Sequence, residues 1–339
     1  MTDSTTAAAQ SPPTMYEQLR TWIAGLERFN GVQTAVELDL AEHLANGPLS
    51  VAELASRTNA HAPSLFRLLR ALEGIGIFKQ VSPRVFANTP DGELLRRSVP
   101  RSLWAFVRGT SACGFHQALL GLSDAIRTGR TAFEQVHGCS VWEYQQRDPR
   151  RAAIFDEFFR SHQSGMAPAV TSAYDWSRFP VIADIGGGIG AQLVDILNAH
   201  RSCRGIIFDR PEVVERAIPH DRVERAGGSF FERVPGGADA YILRSVIHDW
   251  ADAESIAILK TIRAAAKPES RVIMIEQIIP ETPEDHHSKW LDLSMMVLTG
   301  GQERTATEYR QLLEKADLEL EQIVPTTAGP SLVVGRPRD

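Results

Sequence analysis

Three polar residues could do proton chemistry: His248 in RSVIHDW, Glu276 closing the apolar run RVIMIE, and Glu303 after the glycine pair of GGQERT. A histidine titrates close to neutral pH and can accept a proton from a weakly acidic group. A carboxylate at the end of an apolar strand is costly unless it has a partner. Two glutamates converging on one imidazole would fix its tautomer and stabilise its charged form. Such a trio predicts a general base that works without a metal.

A second group of residues could hold a ligand. In VIADIGGGIGA, residues 181–191, a short Val- and Ile-containing run ends in a turn of four glycines, and the apolar-periodic residues Leu193, Ile196 and Leu197 follow. This predicts strand, tight turn, helix. Glycines let backbone approach a ligand closely, and the helix start offers unpaired N–H groups. The ligand itself is left open. Gly186, Gly188 and Ala191 fit the dinucleotide pattern G-x-G-x-x-A, with Asp209 about 20 residues on as a ribose-binding acid. The same stretch reads as D-x-G-G-G-x-G, the turn of S-adenosylmethionine enzymes. Both ligands carry a ribose, so Asp209 suits either.

The elements that must position these residues change character along the chain. From Met15 to about residue 173, apolar residues recur at helical spacing. Trp22, Ile23 and Leu26 mark one helix, and Val36, Leu40 and Leu44 mark another. Ser50 and Glu53 form a capping box for VAELASRT. The amphipathic run SLFRLLRALEGIGIF ends in glycine, and IFKQVSPRVFAN reads as two short strands. Helix, turn, helix, hairpin is the outline of a winged helix. DPRRAAIFDEFFRSHQSGMAPAVTSAY predicts a long bridging helix. From Val181 strand and helix alternate, which implies a parallel sheet with helices on both faces. LELEQIVPT and SLVVGRP predict a closing hairpin. The expected fold is therefore α/β: a Rossmann-like catalytic domain over 166–339, a helical, winged-helix-like domain over 15–165, and a disordered tail over 1–14.

Composition narrows the classes. The 339 residues carry a net charge of −6, which disfavours general affinity for nucleic acid or anionic membranes. The would-be recognition helix has Arg67 and Arg70, with Lys79 and Arg84 nearby, but Glu53 and Glu73 dilute them, so a DNA-binding regulator is a weak reading. Cys113, Cys139 and Cys203 are widely separated and suggest neither disulfides nor zinc. His286 and His287, beside Glu284 and Asp285, read as a solvated loop rather than a metal site. No apolar run reaches the roughly 20 residues that span a bilayer, and no secretory signal opens the sequence; both point to a cytoplasmic protein.

DIGGGIG, FDRPEVV, SFFERVPGGADAYILRSVIHDW and GGQERT, in that order, resemble the SAM-dependent O-methyltransferases of the plant caffeate and animal acetylserotonin type, which also occur in bacterial natural-product pathways. The resemblance covers almost the whole chain. It implies S-adenosyl-L-methionine as cofactor, a homodimer held by the first half, and methylation of an aromatic hydroxyl on a small secondary metabolite. His248 matches the family's general base, with Glu276 and Glu303 flanking it. Asp209 matches the ribose acid, Gly186 lies under the methionine portion, Ser229 and Phe230 fall at the adenine contacts, and Arg244 stands near the adenine edge. Phe159, His162, Asp249 and Met295 are implied for the acceptor pocket. Members usually have Asp at the place of Ser229, so the adenine contact here is expected to be weaker or rearranged. An NAD-dependent oxidoreductase and a ligand-sensing winged-helix regulator are the alternatives.

Overall fold

A computed structural model describes residues 13–338, apart from the side chains of 162–164. The chain divides into two compact units, Met1–Arg108 and Gly109–Asp339. Among the described residues, no helix is long and apolar enough to cross a membrane. Residues 1–12 of the expected tail lie outside the described residues, and Thr14 already caps the first helix in a capping box with Glu17.

In the first unit that helix, Met15–Glu37, takes in both Trp22 and Val36. The second helix expected through Val36, Leu40 and Leu44 is therefore broken. Asp39 adopts a left-handed conformation (φ 49°), and only the single turn Leu40–His43 follows. The fourfold spacing nevertheless serves one purpose, because all three side chains are buried in the same core with Leu54, Leu69 and Phe86. Each such aliphatic burial is worth roughly 1.5–3 kcal/mol. The capping box of Ser50 and Glu53 opens the helix Val51–Thr58, as expected. The helix Ala62–Glu73 follows, and then the hairpin β2 (Phe78–Ser82) and β3 (Val85–Asn88), with β1 (Leu49–Ser50) beside β3. Arg70 and Arg84 do not form an open basic face: both stack on the Phe66 ring, at 5.4 and 4.4 Å. Tyr16, Leu19, Trp22, Ile23 and Leu26 leave an exposed apolar stripe along the first helix.

The second unit begins well before residue 166, because the helices after Gly109 share a core with the far end of the chain. Cys113, Phe115, Phe133 and Val141 pack with Val297 of the helix His287–Leu298. The bridging helix runs over Pro149–Ser164 and restarts as Ala167–Ser172. Then comes the alternation: β4 (Val181–Ile185), β5 (Arg204–Asp209), β6 (Val223–Gly227), β7 (Ala240–Arg244) and β8 (Arg271–Glu276). Short β9 (Ile278–Ile279) and β10 (Arg304–Thr305) pair in parallel outside the main sheet. The hairpin β11 (Leu318–Pro325) and β12 (Ser331–Pro337) closes it. The sheet order is β11-β12-β8-β7-β4-β5-β6, parallel from β8 to β6, with β12 antiparallel to β8. The chain runs outward from β4 to β6 and then returns to the other side of β4 with β7. That reversal leaves a crevice at the carboxyl ends of β4 and β7, where ligands of such sheets bind.

Candidate active site

The glycine turn follows β4 directly, and its shape is fixed by backbone. The Gly186 amide donates to the Phe208 carbonyl at 2.8 Å. Gly186 has φ +68°, and a Cβ there would lie 2.9 Å from Val246 Cγ2, so only glycine fits. Asp209, at the end of β5, braces the turn: its carboxylate accepts from the Gly188 amide at 2.9 Å and the Arg210 amide at 2.7 Å. Burial pushes its pKa up against those two bonds. Asp184 is buried at the end of β4, and burial, then the nearby Asp209, raise its pKa to about 7. Its Oδ1 has no hydrogen-bond partner. Arg244 ends β7 and donates to Gln192; burial lowers its pKa to about 10. Ser229 accepts from the Phe231 amide at 3.3 Å, and Phe230 meets Phe231 and Trp250 edge to face. Gly186, Asp209, Ser229, Phe230 and Arg244 all line one cavity of about 350 Å³, as does Asp184.

The candidate base stands at the next strand end. After β7, Ser245 takes a left-handed conformation (φ 52°) and turns the chain into the short 3-10 segment Ile247–Asp249. His248 is buried there, and its Nδ1 lies 2.6 Å from Glu303 Oε1. A carboxylate only accepts, so Nδ1 carries a proton, and Nε2 is the nitrogen left to gain or lose one. Nε2 lies 3.8 Å from Asp249 Oδ1. Glu276 Oε2 is 3.8 Å from Nδ1, while Oε1 accepts from the amides of Val246 and Ile247 at 3.1 and 2.9 Å. Burial alone would lower the imidazole pKa, but Glu276, Asp249 and Glu303 outweigh it and push it up to about 10. Burial raises Glu276 as well, against the pull of His248. Gly301 lets the GGQERT loop lie flush on this segment, since a Cβ there would sit 2.1 Å from the His248 carbonyl oxygen. The Glu303 amide is tied to Asp292 at 2.9 Å.

The two groups of residues thus meet at neighbouring strand ends, with Asp249 in the cavity wall. Phe159 also lines the cavity, whereas Met295 is buried but is not among the lining residues. The side chain of His162 lies outside the described residues. The sequence reading missed several wall residues. Trp142 and Phe155 add aromatic surface, and Asp156–Arg216 (2.7 Å) and Gln146–Glu212 are polar pairs whose members all line the cavity. Their spacing carries no signal, because the pairs join residues 60 and 66 positions apart. Trp250 was legible only as part of HDW. His286 binds Ser288 Oγ at 2.7 Å and caps the helix His287–Leu298. Among the described residues, the trio of imidazole and carboxylate atoms within 4.8 Å of one another is His248, Glu276 and Glu303.

Residues 120–319 match the O-methyltransferase domain, and residues 25–98 match the O-methyltransferase dimerisation domain. The chain belongs to the O-methyltransferase family. Phenazine O-methyltransferase PhzM of Lysobacter antibioticus is 37% identical over 324 residues, covering 93% of this chain and 94% of that protein. Mitomycin biosynthesis 6-O-methyltransferase of Streptomyces lavendulae is 34% identical over 320 residues, covering 92% and 91%. The solved structure of human N-acetylserotonin methyltransferase in complex with SAM superposes with a TM-score of 0.89 at 27% identity, covering 98% of this chain and 100% of that one. The chain is an S-adenosyl-L-methionine-dependent O-methyltransferase. The dimerisation domain supports the homodimer, and neither alternative, oxidoreductase or regulator, finds support. For this methyltransferase the cleft fits its cofactor. The orphaned Asp184 Oδ1 in the wall lacks the donor that an ammonium group supplies, and Asp209 stands beside a turn with room for a ribose. Asp184, Gly186 and Asp209 would hold the methionine and ribose portions, with Ser229 and Phe230 toward the base.

Proposed function

We propose that this methyltransferase methylates a phenolic hydroxyl of a small, planar, aromatic secondary metabolite, in an antibiotic-type biosynthetic route, with His248 as general base. The observation that carries this reading is the 2.6 Å bond from His248 Nδ1 to Glu303, which leaves Nε2 as the proton-exchanging atom of a histidine whose neighbours Asp249 and Trp250 line an aromatic-walled cavity. S-adenosyl-L-methionine, when bound, supplies a methyl group already activated on a sulfonium. The chain's own residues do the rest. Nε2 takes the phenolic proton, and Glu276, Asp249 and Glu303 stabilise the imidazolium that results. A phenol titrates near 10, close to the value to which His248 is raised, so transfer to the neutral imidazole is nearly balanced, and the neutral fraction grows as pH rises toward that value. Proton abstraction by a positioned base is worth on the order of 10²–10⁴-fold. Trp142, Phe155, Phe159 and Phe230 suit a flat ring system. The names of the relatives, phenazine and mitomycin enzymes, agree with such an acceptor. We also place the enzyme in the cytoplasm, a reading supported by its likeness to bacterial biosynthetic enzymes.

The test begins with calorimetry. S-adenosylhomocysteine is expected to bind at one site per chain and NAD not at all; a screen of phenols with labelled S-adenosylmethionine follows. NAD binding in place of S-adenosylhomocysteine would overturn the cofactor, and labelling confined to amines would overturn the acceptor class.

A further inference from the structure

Next to Glu303 stands an arginine that neither the cofactor cleft nor the proton transfer uses. Arg304 is fully buried, 1% exposed. A guanidinium in such a place is tolerated only when its donors are satisfied. Here they are, and two of its five partners are carbonyls on either side of His248. Nη1 donates to the carbonyls of Ile247 and Gln302, both at 3.2 Å. Nη2 donates to the Trp250 carbonyl at 3.0 Å and to Ser255 Oγ at 3.3 Å. Nε and Nη2 fork onto Asp252 Oδ1 at 3.1 and 3.0 Å. The carbonyls of Ile247 and Trp250 bracket His248 in sequence, and Ser255 Oγ reaches the same two, at 3.3 Å each.

The segment is therefore held at both ends of its peptide dipoles. Glu276 accepts its leading amides, of Val246 and Ile247, while Arg304 donates to its carbonyls. The neighbouring Glu303 holds the imidazole ring itself. The pairing of β10 with β9 places Arg304 opposite Ile278, two residues beyond Glu276, so both grips hang from one short ladder. We propose that Arg304 is a positioning residue for methyl transfer, locking the backbone around His248 so that Nδ1 stays on Glu303 and Nε2 stays presented to the acceptor. This rests on the reading of His248 as the base.

The planar fork spans four carbonyl and carboxylate directions at once, which a lysine ammonium does not reproduce. The experiment uses the full-length homodimer with Arg304→Lys and records the nitrogen resonances of the His248 imidazole across pH, with S-adenosylhomocysteine affinity measured in parallel. The expected result is a His248 titration midpoint lowered by about one unit or more as the Glu303 bond loosens, with affinity for S-adenosylhomocysteine within about threefold of wild type. A role confined to fold stability would lower the melting temperature and leave that midpoint where it was, which overturns the proposal. Should Arg304→Lys not fold, Asp252→Asn replaces it, because Asp252 is half-exposed and anchors the fork, its other partners being Gln302 at 2.8 Å and Lys315 at 3.9 Å. It is expected to move the same midpoint in the same direction by a smaller amount, and an unmoved midpoint is again fatal. The base assignment is judged separately. Methyl transfer surviving in His248→Ala removes it whatever the titration shows, whereas an unmoved midpoint removes only the positioning role.

Discussion

The glycine turn after β4 and the cluster around His248 occupy neighbouring strand ends of one sheet, and they are made from different materials. In the turn, backbone does the positioning: amides of Gly186 and Gly188 are tied to Phe208 and Asp209, and absent side chains leave room for a ligand. Around His248, side chains do it. One imidazole, three carboxylates and a guanidinium are brought from β7, β8 and β10 into a buried knot. A backbone cradle depends on few ionisable groups, here Asp184 and Asp209, and is tolerant of changes outside the turn. A buried charge cluster differs on both counts, because each member sets the protonation of the others. The comparison implies a division of labour: damage to the turn should appear in affinity, and damage to the cluster should appear in rate.

The largest expected effect comes from His248→Ala. Loss of the base should lower the transfer rate by about 10²–10⁴-fold while S-adenosylhomocysteine affinity, read by calorimetry, stays nearly intact. Equal loss of both would mean that the two regions are one. The converse change is Gly186→Ala, which forces a side chain onto a left-handed backbone and into Val246. It should weaken S-adenosylhomocysteine binding by about 10-fold or more, with the rate at saturating cofactor within about threefold. A rate loss without an affinity loss would reverse the division proposed above.

The charge cluster also predicts an alkaline pH signature, distinct from that of the carboxylates beside the turn. His248 is raised in the folded chain to about 10, from an unfolded value near 6.5. The proton is therefore bound more tightly by the folded state. The stability it contributes is fully present below about pH 6.5 and is lost as pH rises through about 10. The stability difference between wild type and His248→Gln, measured by denaturant titration without ligand, should accordingly shrink across that window. A difference that grows with pH would show that burial, and not the flanking acids, governs the imidazole.

The same contrast explains what could be seen in the sequence. The turn is contiguous, so DIGGGIG displays its geometry in seven residues, and Asp209 follows at the end of the next strand. His248 and Glu276 were legible as strand-end polar residues and Glu303 as an acid after a glycine pair, but the distances among them depend on the neighbouring β7 and β8 and on the β9–β10 pairing, which the residue pattern alone does not encode. The first helix shows the opposite failure. Val36, Leu40 and Leu44 keep helical spacing across Asp39, whose left-handed backbone breaks the helix without disturbing the shared core. Wall residues such as Trp142 and Phe155 look like ordinary core until the cavity is in place. The boundary between units moved to Gly109 for a related reason: the apolar faces of the intervening helices find their partner in a helix near residue 297.

The smallest effect would sharpen the comparison on the cofactor side. Ser229 stands where the sequence resemblance implies an aspartate toward the adenine, and its hydroxyl is engaged with the Phe231 amide at 3.3 Å. A serine there can accept one neutral hydrogen bond from an adenine amino group, whereas a carboxylate would make a charge-assisted one, about twice as strong. Ser229→Asp is thus expected to tighten S-adenosylhomocysteine binding by about three- to fivefold, with the transfer rate at saturating cofactor unchanged because the new bond is made to cofactor and not to the reacting atoms. The competing cost is the desolvation of a new carboxylate beside Phe230, Phe231 and Trp250, whose rings lie within 4.8–5.9 Å of one another, centroid to centroid. If desolvation wins, affinity falls, and the serine is then the better residue for this aromatic surround rather than a weakened version of the usual contact.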